Sequence, residues 1–262
     1  MPRMALLMSR FDAVAPKFDC YRALPDGAAM AVRAAVLDRL APRPRVLDLG
    51  AGSGRVGWPF VRAHDDYIGV DLSFGMLQAF KARAPNAALA QADGGALPFA
   101  GRAFDAVLLV QIFGGLTNWR ALIDEARRVL RPGGALMLGR TLTPEDGVDA
   151  AMKRHLSAIL GEHATPRHNT REQAELRLEE MACAVTQIEA ARWQTDRGPR
   201  AFLDRHAGGA RFSQLPPAVR DDALRQLAAW AVEQYGSLDA RFTETHRFTL
   251  RIFTFERSRH AD

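Results

Sequence analysis

The chain has 262 residues, 25% of them charged and 48% hydrophobic, with a formal net charge of +5. Such a length allows one sizeable core in one or two domains, and the composition excludes disordered, fibrous and disulfide-built classes. A pI near 9.7 raises nucleic acid as a partner, yet lysine occurs only as Lys17, Lys81 and Lys153, the arginines are interleaved with acids as in EQAELRLEEM, and no basic run of five occurs; nucleic-acid binding is therefore not expected.

The opening MPRMALLMSRFDAV has an apolar stretch too short for a signal peptide or a spanning helix, and no long uncharged run follows. The expectation is a cytoplasmic enzyme with no membrane partner. Cys20 and Cys183 lie far apart with no CxxC spacing, so neither a zinc site nor a disulfide framework is expected.

In chain order, a helix from Asp26 to Leu40 leads through APRPR into a first strand, RVLDLG. Strands DYIGVDL, AALAQAD, FDAVLLVQIF and GGALMLGR follow, separated by helical segments RVGWPFVRAH, SFGMLQAFKARA and NWRALIDEARRVL. This alternation predicts βαβ units and a parallel sheet covered on both faces. Asn118 and Ser73 are the expected N-caps, and Pro132 with Gly133 and Gly134 the helix stop. Beyond Arg140 the pattern loosens: Pro144 to Gly161 and Thr170 to Ala184 read as helices, AVTQIEAARW as a strand, and Leu215 to Tyr235 as a long helix closed by Gly236. The last run, ETHRFTLRIFTFER, has strand alternation and no crossover helix after it, which predicts an antiparallel strand at the sheet edge.

The turn VLDLGAGSGRVG is ambiguous by glycine spacing alone. From Gly52 it fits the dinucleotide fingerprint G-x-G-x-x-G, and from Gly50 the G-x-G-x-G of nucleoside-binding transferases. Asp48, at the carboxyl end of the first strand, favours the second: a carboxylate suits an ammonium and sits poorly beside a pyrophosphate. Gly50, Ala51, Gly52 and Gly54 let backbone approach a ligand, and the following helix N-terminus is expected to offer N–H groups to a carboxylate. An amino-acid zwitterion would have both charges answered, and S-adenosyl-L-methionine carries one. Asp71, about twenty residues on, suits ribose hydroxyls, a role that fits NAD equally. Asp93, with Gly94 beside it, ends the third strand and suits an adenine amino group. Leu72 and Met76 are expected to line the adenosine pocket.

Other candidates carry weaker signals. Gln111 ends the fourth strand, where ligands gather in open α/β sheets, and is either near the reacting methyl or a buried amide bonded to backbone. Tyr21 and Arg22 are positioned to close over the cofactor. His155, His163, His168, His206 and His246 could each serve as a base with near-neutral pKa, His155 and His168 being the candidates in the insertion after the fifth strand. Trp193, Trp230 and Phe202 could line an acceptor pocket or belong to the core. No metal site is expected.

Taken together, VLDLGAGSG, GVDLS, QADGGALPF, FDAVLLVQIF and RVLRPGGALML resemble, in order and spacing over roughly Arg45 to Arg140, the motifs of class I S-adenosylmethionine-dependent methyltransferases. The similarity is greatest to the ubiquinone/menaquinone-biosynthesis branch of small-molecule enzymes, whose helical entry segment FDAVAPKFDCYR resembles. The resemblance implies a Rossmann-like α/β fold with a seven-stranded, mostly parallel sheet and an antiparallel last strand. A single domain is expected, with a helical cap at 1–44, a cofactor-binding core at 45–140, helical lid insertions at 143–170 and 199–237, and the last strand at 246–256. The expected activity is methyl transfer to a small-molecule acceptor, with no catalytic base identified. An RNA methyltransferase, a non-catalytic S-adenosylmethionine-binding protein and an NAD-dependent oxidoreductase remain the alternatives.

Overall fold

The computed structural model describes residues 24–114, 116–163, 169–207, 212 and 215–255. The first half follows the predicted alternation: α1 (Asp26–Leu37), β1 (Val46–Leu49), α2 (Trp58–Arg62), β2 (Tyr67–Asp71), α3 (Phe74–Arg83), β3 (Ala88–Gln91), β4 (Phe104–Val110), α4 (Trp119–Val129) and β5 (Leu130–Leu142). After it come α5 (Val148–Leu160), α6 (Thr170–Met181), β6 (Ala184–Arg197), α7 (Pro199–Ala207), α8 (Pro217–Tyr235) and β7 (Phe242–Thr254). The described strands form one seven-stranded sheet in the order β3-β2-β1-β4-β5-β7-β6. The pairs β1–β2, β1–β4, β2–β3 and β4–β5 are parallel, and β7 runs antiparallel to both β5 and β6.

One expectation needs correcting here. β7 is antiparallel as predicted, but it is an interior strand between β5 and β6, and the edge belongs to β6. The reason lies in the alternation of ETHRFTLRIFTFER: Phe248, Leu250 and Ile252 are buried on one face and Phe253 on the other, which suits a strand covered on both sides. β6 is largely exposed along its length and carries a register break between Glu189 and Ala191, features that discourage further pairing at an edge.

Two hydrophobic layers sandwich the sheet. On one face α1 contributes Ala29, Val32 and Val36, α2 Phe60 and α3 Phe80, packed on Val46, Ala106, Leu108, Met137, Phe248 and Leu250. The other face is covered by α4 (Trp119, Leu122, Ile123, Ala126, Val129) and α6 (Ala174, Leu178) over Leu47, Val107, Leu109, Leu136 and Leu138. α1 is therefore a layer of the fold, although its place in the sequence suggested a cap. A third cluster stands apart: Met152 and Leu156 of α5, Phe202 of α7 and Ala223, Leu227 and Ala231 of α8 pack on one another. Phe202 belongs to this separate core, and Trp230 packs against it.

Local boundaries differ from expectation in instructive ways. The Ser73 hydroxyl accepts the Met76 N–H at 3.2 Å, the predicted cap of α3. Asn118 stands at the start of α4 without capping it; its amide donates instead to Asp93 Oδ1 at 3.2 Å. α4 ends at Val129, and the segment through Pro132 and Gly133 is taken up as an irregularity of β5, whose register with β4 shifts between Phe104 and Ala106. α2 begins at Trp58, later than the predicted Arg55, because residues 50–57 are consumed by the glycine turn.

Gly57 shows what the turn demands of its surroundings. A Cβ on Gly57 would lie inside the Tyr67 hydroxyl and 2.7 Å from Phe80 Cζ, so α2 can lie this close to the sheet only without one. Gly57→Ala should therefore lower the unfolding free energy by about 1 to 3 kcal/mol through overpacking. Urea unfolding measures this, and a loss below about 0.5 kcal/mol would contradict such tight packing.

Candidate cofactor site

The site is assembled at the carboxyl ends of three adjacent strands. Asp48 occupies β1, Asp71 ends β2, and Asp93 follows the end of β3 by two residues. Gly50, Gly52 and Gly54 all have positive φ, at 83°, 57° and 81°, a conformation that glycine adopts without the penalty of a Cβ. Their roles divide on what a side chain would meet. A Cβ on Gly50 would lie 2.6 Å from Ile112 Cδ1 and one on Gly54 would collide with the Phe80 ring, whereas one on Gly52 would meet nothing nearer than the Gly50 carbonyl oxygen at 4.0 Å. Gly50 and Gly54 are thus required by packing, and Gly52 faces open space.

The turn is cross-tied to β2. The Gly50 and Ala51 N–H groups both donate to the Val70 carbonyl, at 2.8 and 3.0 Å. Asp71 accepts the Gly52 N–H on Oδ2 and the Ser73 N–H on Oδ1, each at 2.8 Å, and the Gly54 N–H goes to the Ala51 carbonyl at 3.1 Å. The N–H groups of Gly50, Ala51, Gly52 and Gly54 are thus engaged internally, and a ligand carboxylate would have to meet the chain beyond the turn. Asp71 is held in place by these two backbone donors.

Asp48 is 2% exposed. Its Oδ2 accepts the Tyr67 hydroxyl at 2.7 Å, while Oδ1 is buried with no hydrogen-bond partner among the described residues. Burial pushes the carboxyl up to about 7, partly offset by the Tyr67 hydrogen bond, reinforced by the negative charge of Asp71 and eased by Arg55. The Tyr67 phenol is driven well upward by burial and by the carboxylate it serves. A buried oxygen without a donor, at the inner end of a glycine turn, has the chemistry to accept from a hydrogen-bond donor or a cation.

Other predicted residues fall into place with corrections. Asp93 Oδ1 accepts the Gly95 N–H at 2.8 Å. Gly94 makes room for core packing, since a Cβ would lie 3.0 Å from Leu122 Cδ1. Met76 is buried and Leu72 is 36% exposed. Gln111 is exposed, which removes the buried-amide alternative. Its φ of 54° is rare for a residue with a side chain, and its Oε1 accepts Arg55 Nη2 at 2.8 Å; such strain concentrates at functional positions. Tyr21, Arg22 and His168 lie outside the described residues.

The histidines separate clearly. His155 stacks on Trp230 at 4.2 Å, and His206 on Phe202 at 3.9 Å with Nδ1 against the Phe202 carbonyl, both within the third hydrophobic cluster. His163 is exposed. His246 alone of these is buried beside a carboxylate, Glu244, with Trp193 edge-on at 5.7 Å. Sequence reasoning missed Tyr67, Arg55 and Ile112. The only local signal was the arginine inside GSGRVG.

The raised Asp48 carboxyl has a consequence for stability. Between the unfolded value near 4 and the folded value of about 7, the native state holds the extra proton, so stability falls as pH rises through that window and stays low above it. The loss is on the order of 4 kcal/mol. Asp48→Asn should remove it, giving a variant more stable than the parent at about pH 8 with a flatter pH profile between about 4 and 7. Parallel urea-unfolding profiles for the two proteins would contradict the assignment.

Comparison with known proteins places this geometry. Residues 47–138 match the family model described as "Methyltransferase domain". The chain is 36% identical over 140 residues to the demethylmenaquinone methyltransferase of Renibacterium salmoninarum, covering 52% of this chain and 59% of that protein. It is 33% identical over 150 residues to a ubiquinone/menaquinone biosynthesis C-methyltransferase of a Ruegeria species, covering 53% and 60%. The chain thus spans little more than half the length of these relatives. The fold is shared with the SAM-dependent methyltransferase of Thermotoga maritima, at a TM-score of 0.52 and 14% identity over 94% of this chain and 99% of that one. It is likewise shared with the YcgJ protein of Bacillus subtilis, at 0.54 and 19% over 86% and 98%. The glycine turn, the strand-end acids and the family match coincide on the same stretch: residues 47–138 are similar to the methyltransferase-domain family.

Proposed function

We propose that the protein transfers a methyl group from S-adenosyl-L-methionine to a small aromatic acceptor. The observation that carries the reading is the buried Oδ1 of Asp48 at the inner end of the turn, which has no donor among the described residues. In this reading Asp48 takes the methionyl ammonium, Gly52 gives the ligand close access to backbone, Asp71 accepts the ribose hydroxyls, and Asp93 with Gly94 stands at the adenine. Because the turn N–H groups are engaged, Arg55 becomes the cation that answers the methionyl carboxylate, steered by its bond to Gln111. Leu72 and Met76 border the adenosine.

Bound S-adenosyl-L-methionine supplies a methyl group on a positively charged sulfur, already activated toward displacement. What the protein contributes is alignment and exclusion of water. The lid role is assigned to α5, α7 and α8, whose separate hydrophobic cluster lets them vary or move without disturbing the sheet. Asp149 of α5, paired with Arg205 of α7 at 2.8 Å, ties two of them together. Sequence relatives named for demethylmenaquinone and ubiquinone/menaquinone methylation support an aromatic hydroquinone as the acceptor class. A buried acid with an unanswered oxygen disfavours NAD, whose pyrophosphate would meet it. Among the described residues no helix is long and apolar enough to cross a membrane.

Calorimetry with the purified protein should show S-adenosylhomocysteine binding and no NAD binding. Micromolar binding of NAD alone would overturn the cofactor reading. Asp71→Ala should weaken S-adenosylhomocysteine by about ten- to a hundredfold, since hydrogen bonds to a charged group contribute roughly 1.5 to 3 kcal/mol each. Asp71→Asn should lose less, because one acceptor oxygen remains. Wild-type affinity in a folded Asp71→Ala variant would remove the ribose role.

A further inference from the structure

The start of β7 carries a buried pair that the cofactor site does not use. Residues 244, 246, 248, 250 and 252 share one buried face of the strand. Ile252, Leu250 and Phe248 are apolar core; then the same face changes to His246 and Glu244, whose side chains are only 2% and 6% exposed. Burying a carboxylate and an imidazole carries a desolvation cost that apolar residues at the same positions would avoid.

The pair is held in one arrangement. Glu244 Oε1 accepts the Val148 N–H at 2.6 Å at the start of α5, where Gly147 leaves the room, since a Cβ there would lie 2.6 Å from that oxygen. Oε2 lies 3.2 Å from His246 Nε2. A carboxylate can only accept, so Nε2 carries the hydrogen, and the lone pair of the uncharged form of the ring then lies on Nδ1. Among the described residues Nδ1 has no hydrogen-bond partner.

Its position is the second observation. Phe248 and Val110, the last residue of β4, both crowd Gly139: a Cβ there would lie 2.9 Å from Phe248 Cζ and from Val110 Cγ2, and Val110 immediately precedes Gln111. His246 is two residues further along the same face, about 7 Å beyond Phe248 at the usual rise per strand residue. It therefore stands past the carboxyl ends of β4 and β5, between them and the start of α5, with Trp193 at its edge.

We propose that His246 is the general base that deprotonates the acceptor, with Glu244 as its positioning residue; this rests on the methyl-transfer reading above. Nδ1 takes the proton of an acceptor hydroxyl, the O–H electron pair stays on that oxygen as a phenolate, and the imidazolium is stabilised by the Glu244 carboxylate until the proton passes to solvent. A phenolate is the stronger nucleophile, at oxygen or at a ring carbon, which is what an electrophilic methyl group requires. Arg247 lies on the opposite, exposed face of β7; the charged and titratable groups on the elements beside the pair are Asp149 at the first turn of α5, paired with Arg197 of β6 and Arg205 of α7, and Tyr235 at the end of α8, whose phenol is raised by burial, lowered by Arg154 and raised by Glu244.

Two measurements test the proposal, the first independent of any acceptor. Nitrogen-15 NMR of the histidine side chains in the full chain should show His246 as the neutral Nε2–H tautomer, switching to Nδ1–H in Glu244→Gln, whose amide donates where the carboxylate accepted. An Nδ1–H tautomer in the parent protein overturns the proposal. The second uses reduced demethylmenaquinone as the probe acceptor. His246→Gln should lower kcat about a hundredfold or more and abolish the acid limb of its pH profile, with S-adenosylhomocysteine affinity within twofold. Glu244→Gln should lower kcat about tenfold, covering the case in which the histidine variant does not fold. A folded His246→Gln protein with the parent's kcat and pH profile sinks the base. A parent protein silent toward the probe counts against the hydroquinone reading instead, and the tautomer measurement then decides on His246 alone.

Discussion

A carboxylate buried at the carboxyl end of β1 opposes folding, and much of the surrounding architecture can be understood as making it tolerable. Burial holds the Asp48 carboxyl near 7. Among the described residues the Tyr67 hydroxyl is its hydrogen-bond donor, and Tyr67 can reach it only because Gly57 has no side chain. Phe60 stacks on Tyr67 at 5.4 Å and Phe80 meets it edge-on at 6.1 Å, which fixes the ring that carries the donor. Phe80 in turn fills the space beneath Gly54. The glycine turn and the core under it are therefore one packed unit, with Asp48 Oδ1 left unpartnered among the described residues.

Asp71 performs the complementary task in the backbone. By accepting from both Gly52 and Ser73 it joins the glycine turn to the start of α3. The sheet thus ends in an edge of acids, while α5, α7 and α8 pack apart from it around their own hydrophobic cluster. The two halves meet through β7, which runs from the Glu244 contact with α5 down to the core at Ile252. A strand of this kind can hold a proton acceptor over the sheet and keep it in register with the strand ends beneath.

Much of this was legible from local pattern. Short apolar runs alternating with amphipathic segments gave the β1 to β5 order, and Asp48, Asp71 and Asp93 announced themselves because each ends a run that is otherwise apolar. What was not legible is nonlocal. Tyr67 lies 19 residues from Asp48 and looked like an ordinary strand residue; only the sheet register places it beside the acid. That the turn's own N–H groups are spent on Val70 and Asp71 depends on the same pairing. The edge position assigned to β7 failed because chain order does not dictate strand order once crossovers stop. His246 could not be distinguished from His155 or His206 until packing put the latter two against aromatic rings within the third hydrophobic cluster and set His246 against a carboxylate.

The central claim is that Asp48 is held partly protonated so that a bound ammonium can claim its charge. Proton linkage measures this directly, by calorimetry of S-adenosylhomocysteine binding at about pH 7 in buffers of different ionisation enthalpy. With a folded value of about 7, roughly half a proton should be released per ligand bound, as the ammonium draws the carboxyl into its ionised form. The release should vanish in Asp48→Asn. Binding without linked protons, or with proton uptake, would contradict the account.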